Sequence, residues 1–172
     1  MRNSNERLQL FLLRMIFTIR AIIILVKAQN LCIDSITKLP REKVDKMSKT
    51  IKQIADELGV STKVLDSWLV TVNTVRNICA HHGRLWNRII GNPPMIPHAP
   101  EWHTPYEVKN DKMFGALTVL SYLLERVAPD TQWRARLLDM VLGQTRRNQE
   151  RMGFTGDWRE CPLWKPYLPP GR

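Results

Sequence analysis

Residues 76–88 read RNICAHHGRLWNR and bring Arg76, Asn77, His81, His82, Arg84, Trp86, Asn87 and Arg88 into one short segment. A guanidinium is charged at every physiological pH and grips phosphate through paired N–H groups. An imidazole titrates near neutrality and can both accept and donate a proton. Together they supply what transesterification of RNA asks for: a group to move the 2′-OH or leaving-group proton, and a cation to stabilise charge on the phosphorane. On a helix, Arg76 and His81 are offset by about 140° around and about 7.5 Å along the axis, so they do not stack as an i, i+4 pair would. A long guanidinium can still reach round to share a phosphate with a histidine one turn on. Beyond them, Arg84, Trp86, Asn87 and Arg88 could hold RNA by charge and base stacking.

Plainer readings stand beside each of these. Arg76 and Asn77 could cap the helix end or pair with a distant carboxylate, and His82 beside Gly83 could be an ordinary helix-end histidine. Leu85 and Trp86 suit core anchors better than stacking platforms. Cys79, three residues after Arg76 on the buried side, reads as small core filler rather than a nucleophile. His98 and His103 could join His81 or His82 on zinc. Adjacent histidines, however, point about 100° apart and lack the i, i+4 spacing of metal-binding helices. No metal site and no cofactor are expected.

The elements that must position these residues read as helices. From Glu42 to Leu58 the apolar residues Val44, Met47, Ile51, Ile54, Ala55 and Leu58 recur at steps of three and four, with Gly59 as the stop. Ser61 can cap the next helix, whose Val64, Leu65, Trp68, Leu69, Val72 and Val75 keep the period, and nothing breaks it before Gly83. Pro93, Pro94, Pro97, Pro100 and Pro105 then forbid regular structure. Helix resumes near Asp111 and ends before Pro129. A last long helix is expected over about residues 131–150, burying Trp133, Leu137, Leu138, Val141 and Leu142 and turning basic at Arg146, Arg147 and Arg151. Trp158 and Trp164 mark an extended, aromatic-packed C-terminal tail. No strand alternation competes, so the expected class is all-α.

Charge narrows the choice of partner. Twenty-six Lys and Arg against sixteen Asp and Glu in 172 residues give a formal net charge of +10. The segment 76–100 contains three of the arginines, three of the four histidines and no carboxylate. A local excess of this kind suits a polyanion such as RNA, and Arg146 and Arg147 are the best place to extend its footprint. Three cysteines at wide spacings, Cys32, Cys79 and Cys161, form neither a disulfide framework nor a zinc motif and point to the reducing cytoplasm. Residues 8–26 are largely apolar, but Gln9, Arg14 and Arg20 interrupt them below the ~18 residues a spanning helix needs. Residues 1–38 therefore read as an atypical apolar and basic segment with no stable membrane association, and residues 39–172 as the helical domain.

Arg76, Asn77 and His81 together resemble the Arg-x4-6-His signature of HEPN ribonucleases. The longer string VRNICAHHGRLWNR, followed by a Pro-rich loop, two helices and a closing MGFTGDWRECPLW, resembles the Abi-like abortive-infection family of the AbiD/AbiF type. The resemblance covers about residues 50–168 and corresponds to the C-terminal part of longer family members, so a truncated or frameshifted copy is an expectation. It implies a HEPN-like helical bundle and a homodimer whose two motifs form one composite site. It also implies a metal-independent endoribonuclease, a hydrolase-type antiviral effector that cuts RNA by 2′-OH attack in phage defence. On that pattern Arg76 binds and stabilises the phosphate, His81 is the acid and base, Asn77 orients either of them, and His82 is the alternative histidine. The rival is a non-catalytic module that holds a regulatory RNA or a partner protein with the same basic helix end. A membrane-anchored effector, resting on residues 8–26, is a third class.

Overall fold

The computed structural model describes residues 41–81, 83–85, 87–130 and 132–169, apart from the side chains of Lys43, Val44, Lys46 and Met47. The apolar stretch 8–26, on which the membrane question rests, lies outside the described residues, as do His82 and Trp86. Among the described residues there are five α-helices and no strand: α1 (Arg41–Glu57), α2 (Thr62–Ala80), α3 (Met113–Val127), α4 (Trp133–Leu142) and α5 (Arg146–Arg151). The all-α expectation is borne out.

Local chemistry sets the first two helices. Beyond α1, Gly59 takes the left-handed conformation at φ 68°, and Val60 N–H returns to the Ala55 carbonyl at 2.9 Å. This closure satisfies a carbonyl that the helix end would otherwise leave open. Ser61 then caps α2, its hydroxyl accepting from Val64 N–H at 3.3 Å. The buried side of α2 carries Val64, Leu65, Trp68, Val72, Val75 and Cys79. It packs against α1 and α3.

The centre of the molecule is α3, buried at every position from Met113 to Leu124. At one end of it Trp68, Trp102 and Tyr122 form an aromatic triangle with ring centroids 5.2 to 5.6 Å apart. The Tyr122 hydroxyl donates to the Leu58 carbonyl at 3.0 Å, joining α3 to the end of α1.

Two sequence expectations are corrected. The last long helix is two helices, because Thr145 has extended backbone (φ −62°, ψ 152°) and its hydroxyl accepts from Asn148 N–H at 3.4 Å, starting α5 afresh. Arg146 and Arg147 thus stand in the first turn of a short helix, not the last turns of a long one. The C-terminal tail is not extended: it folds into 3-10 turns at Trp158–Glu160 and Lys165–Tyr167. Burial explains the difference, since Trp158, Trp164 and Phe154 are taken into the core around Phe114. There the Trp164 indole N–H donates to the Thr118 hydroxyl at 2.9 Å.

Candidate functional site at the C-terminal end of α2

Arg76 and Asn77 are half-buried near the end of α2, and His81 follows as its exposed C-cap. Asn77 joins the other two. Its side-chain oxygen accepts from Arg76 Nη1 at 2.7 Å, while its main-chain carbonyl accepts from His81 N–H at 3.0 Å. The first bond sets the direction of the guanidinium, and the second sets where the histidine leaves the helix.

The chain turns away immediately after His81. Gly83 N–H donates to the Ile78 carbonyl at 2.7 Å, and a Cβ at Gly83 would lie 2.9 Å from that same oxygen. Only glycine fits so close an approach. Leu85 is buried, in keeping with the core-anchor reading, and Ile90 is buried five residues on, its N–H bonded to the Asp111 carbonyl at 2.9 Å. Between these anchors Arg88 N–H closes a turn onto the Leu85 carbonyl at 3.2 Å, with Asn87 in the left-handed region at φ 53°. Arg84, Asn87 and Arg88 are all exposed. The turn therefore displays two cations and an amide directly beyond His81.

The Pro-rich loop then runs back along α2. Asn92 meets Thr71 and Thr74, and Met95 meets Ser67 and Trp68, so the loop and the helix run in opposite directions. The hydroxyls responsible sit at i, i+4 and i+7, a spacing that places them on one face. That stripe was visible in the sequence and is the feature its reading missed. Proline-linked carbonyls find donors further on: Asn110 Nδ2 reaches the Pro94 carbonyl and His103 Nε2 the Pro97 carbonyl, each at 2.8 Å.

Other predicted residues fall as follows. Arg146 and Arg147 are exposed on α5, a separate element, with Arg146 paired to Glu150 at 3.2 Å. Both basic segments are nonetheless fastened to the start of α3, through Ile90 on Asp111 and through the Met152 carbonyl on Phe114 N–H at 2.9 Å. Cys79 is buried, and burial pushes its thiol up to about 12, which suits core filler and not a nucleophile. His98 is exposed, and His103 is committed to Pro97. Among the described residues no group of three or more His, Cys, Asp or Glu stands together as a metal site, and no helix is long and apolar enough to cross a membrane.

Residues 26–87 match the model of the family described as Abi-like protein. This likeness takes in α1, α2 and the site as far as Asn87, begins upstream of residue 38, and covers less than half of the chain. It stops short of the Pro-rich loop, α3 to α5 and the tail. No curated protein and no solved structure matches the chain.

Proposed function

We propose that this protein is an endoribonuclease-type effector of an abortive-infection, phage-defence system. In this reading it cuts RNA by 2′-OH attack, without a metal, at a centre formed by Arg76, Asn77 and His81. The observation that carries the reading is the double hold of Asn77, which ties a guanidinium and the histidine to one exposed helix end. The likeness of residues 26–87 to the Abi-like protein family supports the defence role.

In the proposed reaction the 2′-oxygen attacks phosphorus and the bond to the 5′-oxygen breaks, leaving a 2′,3′-cyclic phosphate and a 5′-hydroxyl. His81 takes the proton of the 2′-OH or supplies one to the departing 5′-oxygen, and Arg76 stabilises charge on the phosphorane. One imidazole carries out one of these transfers at a time. A homodimer that faces two such helix ends would supply both, in keeping with a composite site. Arg84, Asn87 and Arg88, with Arg146 and Arg147 beyond, would track the RNA backbone.

The test is cleavage of RNA by the purified protein in EDTA, with and without His81→Ala. The wild type should cut, and the variant should lose about 10²- to 10⁴-fold in rate. Native mass measured along a dilution series should show activity falling together with the dimer. A wild type that never cuts, or a variant that cuts equally well, overturns the reading. Salt-dependent RNA affinity without cleavage would favour the non-catalytic binding module instead.

A further inference from the structure

We propose that Thr71, Thr74 and Asn92 are positioning residues, forming a clamp that holds the arginine-bearing turn at a fixed place beside the His81 end of α2. The inference takes its substrate from the ribonuclease reading above, and its geometry from hydrogen bonds that do not depend on that reading.

From Gly83 to Asn92 the chain is fastened at both ends to the same helix. At the near end Gly83 N–H holds the Ile78 carbonyl. At the far end Asn92 is held twice: its carbonyl accepts from Thr71 Oγ1 at 2.8 Å, and its Nδ2 donates to Thr74 Oγ1 at 3.3 Å. The two threonines have complementary roles. Thr74 gives its proton to the Val70 carbonyl at 2.9 Å, so its oxygen is available to accept. Thr71 shares its proton between the Ser67 carbonyl at 3.0 Å and Asn92. Thr71 is buried, which protects that bond from competition by water.

Arg84 and Arg88 lie inside this closed segment and are exposed, Arg84 directly before the buried anchor Leu85 and Arg88 between Leu85 and the buried Ile90. A turn ordered by the fold does not have to be ordered again when RNA binds. Phosphate contacts made from it position the substrate without taking part in bond breaking. Opening the clamp should therefore weaken RNA binding and leave the chemical step alone, because Arg76, Asn77 and His81 keep all the bonds described for them.

The experiment compares wild type, Thr71→Val/Thr74→Val and Thr71→Ser/Thr74→Ser in steady-state cleavage of a single-stranded oligoribonucleotide. The valine variant should raise KM about five-fold, as expected for lost hydrogen bonds, with kcat within about two-fold of wild type. The serine variant, which keeps both hydroxyls, should return KM to the wild-type value. Asn92→Ala leaves the helix untouched and should raise KM about two-fold, so the clamp is tested even if the valine variant fails to fold. Unchanged KM in the valine and alanine variants overturns the clamp, as does a fall in kcat at constant KM. If the wild type does not cut, the ribonuclease reading fails and the clamp is judged on oligoribonucleotide affinity by fluorescence anisotropy. The same fold-losses then support it, and equal affinities, or no binding by the wild type at low salt, overturn it.

Discussion

Asn77 accepts twice, from Arg76 with its amide oxygen and from His81 with its main-chain carbonyl, and only the first of these bonds needs a polar side chain. Two residues further along α2, on the core side, Cys79 shows how little of a residue's chemistry is set by its type. Its thiol sits 1% exposed, and burial pushes it up to about 12. Cys161 is buried as well, and burial raises its thiol too. A thiolate is the reactive form, so neither should react in the native protein. In a Cys32→Ser background, iodoacetamide at pH 8 should leave both unlabelled by intact mass, and guanidinium chloride should expose both. Fast native labelling of Cys79 would contradict its place in the core. The sequence supported this assignment because the helical period puts residue 79 on the same side as Val72 and Val75.

Among the elements, α2 is decided at its end. Gly83 is the residue that lets the chain fold back onto Ile78, and a methyl group there would meet the Ile78 carbonyl at 2.9 Å and its Cγ2 at 3.0 Å. Since one of these neighbours is backbone, the turn itself must shift. Gly83→Ala is expected to cost about 1–2 kcal/mol in urea unfolding, and an unchanged midpoint would show that the closure is easily rearranged. The break between α4 and α5 belongs to the same scale. Apolar periodicity runs through residues 131–150, yet α4 stops at its C-cap Gly143 and Thr145 caps α5 through the main-chain N–H three positions on. The hydroxyl stripe of Ser67, Thr71 and Thr74 was equally available to inspection. It meant little until the loop that it holds was in place.

Over the whole molecule, α3, α4 and the tail are joined at one cluster. Arg134, 7% exposed, donates to Glu125 at 3.2 Å and to the Ser121 carbonyl at 2.9 Å, and its guanidinium lies 3.6 Å from the Tyr167 ring centroid. The Tyr167 hydroxyl donates to the other Glu125 oxygen. Burial acts to raise the Glu125 carboxyl, but the hydrogen bonds from Tyr167 and Arg134, together with the charges of Arg134 and Arg126, outweigh it and hold the group below the usual carboxylate range. A depressed folded value means a contribution to stability that is present above the unfolded value of about 4.3 and is lost as pH falls through the folded one. Glu125→Gln should therefore be less stable than wild type at pH 7, with the gap closing below about pH 4. Because the carboxylate is 45% exposed, the gap should be no more than about 1 kcal/mol. A difference that stays constant from pH 7 to pH 3 in urea titrations would show that its charge is not what matters.

The sequence by itself determined the helical class, the extent of α1, the start of α2, the Gly59 and Ser61 signals between them, and the adjacency of Arg76, Asn77 and His81; it carried α2 on to Gly83, whereas the helix ends at Ala80. All of these depend on residues within a few positions of one another, where period, caps and backbone preferences act directly. Only the tertiary structure decided the path of the Pro-rich loop along α2, the folding of the tail into tight turns, and the fastening of both basic segments to the start of α3. The bonds that lay the loop on α2 join residues 18 to 28 positions apart. Proline leaves carbonyls without a local partner and prescribes no regular repeat, so those groups are satisfied by whatever donors the packed core brings to them.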